Sequence, residues 1–350
     1  MATDQKLILT EPGKTALIPV NLPAAGSQQI IVRTVVSGIS HGTEMTAFLG
    51  TSPFIAQTFR EHRTFGERQA SDAPFYPFQY LGYDNVGIVE MIGSDVRSVA
   101  VGDRVWSGSH HQTRVVLTEG ASEFYKLPAA VPNEAAIITN LVAVALTAIH
   151  DAQIKLGDVV AVFGGGAVGQ IVTQLAMLSG ASRVFLIDPL ESRRALAGKT
   201  CGADTLSLDE APAISLRKAN DSAGPDAIIE CSGSVKGLRS AVQLANVGGT
   251  VIAARFYAGS TGDFSFAQEF LHNRVTLKAS MGVWGCPMRA PFWDRPRMLK
   301  QAGAMLAPGK LDITGWPSAT VPFEQAQRAY EMIRDQPKSH LKVMLSYPAP

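Results

Sequence analysis

The sequence predicts an α/β protein of two domains, a β-rich domain and a doubly wound parallel-sheet domain. Three observations lead there. Residues 1 to 130 read as short β runs punctuated by Gly and Pro. From about residue 134, apolar strands alternate with helical segments, the pattern of a parallel sheet covered on both faces. The last run, LKVMLSY (341–347), reads as an isolated strand that returns to the first domain. At 350 residues the chain is also longer than one hydrophobic core usually supports. The expected boundaries are 1–140 plus 285–350 for the β-rich domain and 141–284 for the parallel sheet.

In the first domain, IIVRTVVSGIS (30–40) is β-rich and VGIVEMIG (86–93) alternates. VRSVAVGDRVW (96–106) holds a Gly-Asp turn before another strand. Residues 46 to 79 show no clear period. Phe54, Phe59, Phe65, Phe75 and Phe78 interleave there with Arg60, His62, Arg63 and Arg68, which suits either a functional loop or an oligomer contact. EAAIITNLVAVALTAIHDA (134–152) is apolar at helical spacing, with Pro132 and Asn133 as start signals. Strands follow at 159–164, 183–188, 225–233 and 248–254, with helices at 169–180, 191–204 and 235–246. A last helix is expected over 323–335.

Composition narrows the function classes. A 46% hydrophobic, 17% charged chain is globular, and a net charge of +1 provides no electrostatic reason to bind nucleic acid or an anionic membrane. No apolar run reaches the roughly 18 to 20 residues of a membrane span, and MATDQKLILTEPG has no signal-peptide pattern. Cys201, Cys231 and Cys286 lie too far apart for a disulfide framework or a clustered zinc site. A cytoplasmic protein is the expectation.

The strongest motif is AVFGGGAVGQ (161–170). Gly164, Gly166 and Gly169 fill G-x-G-x-x-G after a strand and at the mouth of a helix, with Gly165, Ala167 and Val168 completing the loop. The first glycine permits a tight turn, the second lets backbone approach a pyrophosphate, and the third packs helix on strand. Asp188 ends the next strand at the separation of about 20 residues expected of an acid that grips a ribose. Its carboxylate repels a 2′-phosphate, so NAD is expected over NADP, although Arg193 and Arg194 stand close by. Ser232 and Arg255, at later strand ends, join the expected cofactor-binding set, and Gly259 follows at the same sheet edge.

These segments together resemble the medium-chain dehydrogenase/reductase family. The resemblance rests on SGISHGTEM (37–45), GYDNVGIVEMIG (82–93), VGDRV (101–105) and LVAVALTAIHDAQIKLGDVVAVFGGGAVG (141–169), and extends through DAIIECSG (226–233) and VGGTVIAA (247–254). It implies a GroES-like catalytic domain around a Rossmann NAD-binding domain, hydride transfer, a small-molecule substrate and a homodimer. Zinc-dependent members carry Cys where Ser40 stands and His-Glu where Tyr83-Asp84 stands, with a Cys or Glu near Asn140. Such hydroxyls and amides are poor zinc ligands, so no zinc is expected. The S-G-I-S-x-G-T-E and G-Y-[DE]-x-V-G pair looks more like the metal-free branch that includes the 2-desacetyl-2-hydroxyethyl bacteriochlorophyllide a dehydrogenases.

Without a metal, a polypeptide group has to handle the alcohol proton. The resemblance implies Tyr83 as the group at the substrate oxygen, donating to a developing oxyanion and, with its pKa lowered, acting as acid or base, and Thr43 as the start of a proton relay; a strand-end packing role for Tyr83 is the competing reading. Asp84 orients Tyr83, meets substrate or anchors the turn. His41 faces either the pyrophosphate or the relay. Asn140, His111 and Trp284 are the expected substrate contacts; His110 and His111 should face opposite sides of a strand. Trp284, Phe292 and Trp293 form either a substrate wall or a dimer contact. The expected activity is thus a zinc-independent, NAD-linked oxidation of a secondary alcohol. An NADPH-dependent enone or quinone reductase and a non-catalytic dinucleotide-binding scaffold are the alternatives.

Overall fold

A computed structural model describes residues 3–121, 123–208, 212–257, 262, 264–282, 285–316 and 318–348. The chain forms two compact units, one of residues up to 138 and from 317 onward, the other of residues 139–316. Among the described residues, no helix is long and apolar enough to cross a membrane.

The first unit contains β1 (Gln5–Glu11), β2 (Lys14–Pro19), β3 (Gln29–Ile39), α1 (Thr43–Phe48), β4 (Gln57–Phe59) and β5 (Phe65–Glu67). It continues through β6 (Asn85–Ile92), β7 (Arg104–Ser107), β8 (Arg114–Thr118), β9 (Phe124–Lys126) and α2 (Asn133–Ala136). After the second unit it closes with β16 (Ser318–Pro322), α9 (Ala326–Asp335) and β17 (Lys342–Ser346). The main sheet runs β16-β17-β3-β6-β7-β9, with β8 also on β3. The returning strand pairs antiparallel with β3, Val343 opposite Ile39. Each face of β3 has its own core. Ile30, Val32, Val89, Val105, Val115 and Leu117 fill one, and Ile39, Phe48, Leu81, Phe323, Tyr330 and Leu345 the other.

Residues 46–79 hold more order than their sequence shows. β4 and β5 form a hairpin, and Arg60 grips Asp72 through two bonds of 3.0 and 2.7 Å. Phe54, Phe59 and Phe65 cluster on it, the last two exposed.

The second unit contains α3 (Thr139–Ala152), β10 (Val159–Phe163), α4 (Ala167–Leu178), β11 (Arg183–Ile187), α5 (Glu191–Cys201) and β12 (Asp204–Leu206). Then come α6 (Pro212–Ala219), β13 (Ala227–Glu230), α7 (Val235–Leu244), β14 (Thr250–Ala253), β15 (Thr276–Ala279) and α8 (Arg295–Met305). The sheet order β12-β11-β10-β13-β14-β15 reverses direction at β10, with every pair parallel. That is the doubly wound arrangement, and it explains why VVAVF and AIIE are apolar throughout.

Two boundaries differ from the sequence reading. The helix expected over 134–152 is two helices, broken at Ile137 and Ile138, which are both fully buried. A continuous helix would turn neighbouring side chains about 100° apart, so tertiary packing prevails over periodicity. Residues 285–316 were assigned to the first domain but lie in the second unit. There α8 packs on α3, and Gln174 exchanges hydrogen bonds of 2.8 and 2.7 Å with the backbone of Asp312. Irregular sequence without strand alternation concealed that attachment.

Phe48 is fully buried and 5.2 Å from the Tyr330 ring. Phe48→Ala is expected to destabilise the first unit by about 3–5 kcal/mol in urea unfolding, from lost burial plus a cavity.

Candidate functional site

The Tyr83-Asp84 pair forms a corner leading into β6. Gly82 takes φ +91°, and a Cβ there would lie 2.7 Å from the His111 backbone nitrogen. The corner is stitched to the segment before β8 by His111 N–H donating to Leu81 O at 2.8 Å. Beyond it, the Tyr83 hydroxyl donates to Ser40 Oγ, and the Thr43 hydroxyl also bonds Tyr83. Tyr83, Ser40 and Thr43 therefore form one hydroxyl cluster, with His41 partly buried in the same turn. Burial and then the Glu44 carboxylate push the Tyr83 phenol well above its ordinary pKa. The lowered pKa expected for a base is corrected: here the phenol keeps its proton and is a donor.

Asp84 is fully buried, accepting from the Trp106 indole at 3.0 Å, while its backbone oxygen accepts from Gly38 N–H at 2.9 Å. It anchors the corner to β7 and β3. His111, expected against substrate, is corrected as well. It lies in the connection before β8 and is 0% exposed, with Nδ1 2.7 Å from Ser37 Oγ and Nε2 3.0 Å from Glu44 Oε2. Both ring nitrogens are engaged, so the ring has no edge left for a ligand. Its sequence neighbours, Ser109, His110, Gln112 and Thr113, are all polar and provided no sign of this burial.

Sequence reasoning missed Lys342. Its side chain is buried on β17, and among the described residues its Nζ has no hydrogen-bond partner. Burial lowers its pKa, against the Asp84 and Glu44 carboxylates, which raise it. The available signal was one lysine inside an otherwise apolar strand, LKVMLSY.

In the second unit, the glycine loop follows β10 and caps α4. Gly164 takes φ +92°, and a Cβ there would meet the Ser232 backbone nitrogen at 2.7 Å. On Gly169 it would lie 1.7 Å from Gly164 O, whereas at Gly166 it would meet nothing within 4 Å. Two glycines are thus imposed by packing, and the third leaves open the ground where a pyrophosphate meets the first N–H groups of α4, bordered by Gly165, Ala167 and Val168. Asp188 accepts from Gly165 N–H at 2.7 Å and Leu190 N–H at 2.8 Å, with Arg193 Nη1 3.7 Å away. Each carboxylate oxygen keeps a second lone-pair direction, enough for a ribose hydroxyl. Ser232 is exposed at the end of β13 and Arg255 half-buried after β14. Asn140 accepts from the Arg295 guanidinium at the start of α3. Trp284 and Gly259 lie outside the described residues.

A doubly wound sheet with this loop at its carboxyl edge is the arrangement of a dinucleotide-binding unit, and the chain carries a separate β-rich unit as well. A family profile described as zinc-binding dehydrogenase matches residues 167–290. The D-guloside 3-dehydrogenases of Shigella flexneri and Escherichia coli K12 are each 30% identical over 98% of this chain and 100% of their own. A crystal structure of an E. coli oxidoreductase/dehydrogenase of unknown specificity superposes with TM-score 0.80 at 17% identity, covering 99% of this chain and 100% of the other. The chain belongs to the medium-chain dehydrogenase/reductase family, and it is an alcohol dehydrogenase/reductase whose glycine loop fits a pyridine nucleotide.

Gly169→Ala puts a methyl into the Gly164 carbonyl. NADH fluorescence titration should show at least a tenfold weaker Kd, about 1.4 kcal/mol.

Proposed function

We propose that this enzyme is a zinc-independent, NAD-linked dehydrogenase of a secondary hydroxyl on a sugar or glycoside. The observation that carries the reading is the cluster of the Tyr83, Ser40 and Thr43 hydroxyls, in which the resemblance aligns Tyr83 and Ser40 with metal ligands and Thr43 with the start of the proton relay. The bound nicotinamide would take or give the hydride. Tyr83, held protonated, donates a hydrogen bond to the substrate oxygen as negative charge develops there. In alcohol oxidation the alcohol proton passes to the Tyr83 oxygen as the phenol proton moves on into the Ser40 and Thr43 hydroxyls, and the exposed Thr43 releases a proton to water; ketone reduction runs the same transfers in reverse.

The donor chemistry supports a site without zinc. Zinc takes thiolate, imidazole and carboxylate ligands. Here the three clustered groups are neutral hydroxyls, Asp84 is held by Trp106, and both His111 nitrogens are engaged. Among the described residues, no group of three or more His, Cys, Asp or Glu side chains could hold a metal ion. The zinc-binding description belongs to a profile over 167–290, a span that contains neither Ser40 nor Tyr83. Asp188 supports NAD, because a carboxylate at the end of the second strand of the sheet, bonded to the glycine loop, repels a 2′-phosphate. The substrate class is supported by the full-length relatives named for a guloside.

The test is a panel of methyl glycosides and pentitols with NAD or NADP. Tyr83→Phe should lower kcat by about 10² to 10³ on the best panel substrate while NADH binding stays within twofold. Because the phenol pKa is raised, its proton is retained as pH rises, and ketone reduction should not lose rate through this group below pH 10. A wild-type break between pH 7 and 9 that vanishes in Tyr83→Phe would contradict the assignment. Stoichiometric zinc whose chelation abolishes turnover would overturn the metal-free reading.

A further inference from the structure

The Glu44 carboxylate is 2% exposed, yet among the described residues no arginine or lysine bonds it. It is met by donors from three separate places in the chain. The backbone N–H of Ser40 reaches Oε1 at 2.9 Å. His111 Nε2 at 3.0 Å and the Tyr330 hydroxyl at 2.5 Å both reach Oε2. A carboxylate only accepts, so His111 Nε2 carries a proton. In the neutral ring Nδ1 then accepts from Ser37 Oγ, 2.7 Å away, and Ser37 lies 2.9 Å from the Tyr347 hydroxyl. Ser37 and His111 are 0% exposed, so this serine–histidine–carboxylate line is sealed from any substrate and cannot supply a nucleophile.

The line leads on to Tyr83. The Ser40 residue whose N–H Glu44 holds is the residue whose Oγ accepts from Tyr83. Glu44 is also joined directly to Thr43, the second hydroxyl on Tyr83. We infer that Glu44 and His111 are positioning residues that fix Ser40 and Thr43 and thereby aim the Tyr83 hydroxyl. This rests on the reading of Tyr83 as the group at the substrate oxygen. It goes beyond that reading by assigning the aim to a buried pair contributed by α1 and the β7–β8 connection, with Tyr330 of α9 as the third support.

Glu44→Gln keeps the shape but presents an amide N–H₂ to donors, and His111→Gln breaks the line at its middle. Tyr330→Phe removes one donor only and serves as the mild variant should the others fail to fold. Each single variant is expected to lose kcat, about 10- to 100-fold for Glu44→Gln and His111→Gln, with KM and NADH binding within twofold. The deciding measurement is the double variant with Tyr83→Phe on the best panel substrate. If the pair acts through Tyr83, Glu44→Gln/Tyr83→Phe and Tyr330→Phe/Tyr83→Phe are no slower than Tyr83→Phe alone, within about twofold. Multiplicative losses, or losses that track a falling melting temperature, would reduce the pair to a structural role and overturn the inference while leaving Tyr83 in place. Full activity in Tyr83→Phe would instead remove the reading beneath it, and the inference with it.

Discussion

A carboxylate without access to water must be met by hydrogen-bond donors, and Glu44 makes that demand inside the β-rich unit. The donors come from the turn after β3, from the β7–β8 connection and from α9. Tyr347, just past β17, reaches the same line through Ser37. The requirement therefore ties residues 37–111 to residues 330–347, across the same seam at which the C-terminal strand pairs with β3. Burial outweighed by His111, Tyr330 and Ser40 keeps the Glu44 pKa low, so the charge persists and the demand with it.

The nucleotide-binding unit applies the same constraint twice at the carboxyl edge of its sheet. Asp188 after β11 holds the Gly165 and Leu190 N–H groups. Glu230 at the end of β13 is fully buried and holds the Ser232 and Gly233 N–H groups at 2.9 and 3.1 Å. Tyr257 donates to it as well. Two buried acids thus shape the two turns that approach one another at Gly164. Both acids sit at strand ends because only there do successive backbone N–H groups lack ladder partners.

The glycine loop was legible in the sequence because its requirements are local. Three glycines, a preceding apolar strand and an acid about 20 residues on are each read from nearest neighbours. The Tyr83-Asp84 corner was legible as a corner for the same reason, with Gly82 in front of it. The partners of that corner were not. Nothing near Glu44 signals Tyr330, and nothing near His111 signals Ser37, since contacts between residues this remote leave no period or spacing. The lowered phenol pKa failed for a related reason: Tyr83 is buried and the charge beside it is negative, and both burial and neighbouring charge are tertiary facts.

By itself the chain determined the two kinds of layer, the strand-helix alternation and the nucleotide loop, because backbone geometry and side-chain alternation act over a few residues. Tertiary structure alone decided that 285–316 belongs with the parallel sheet, that His111 is sealed inside, and that Glu44 gathers its donors. Those outcomes depend on burying polar groups only where partners from distant segments arrive, and that condition is met or missed only once the chain is folded.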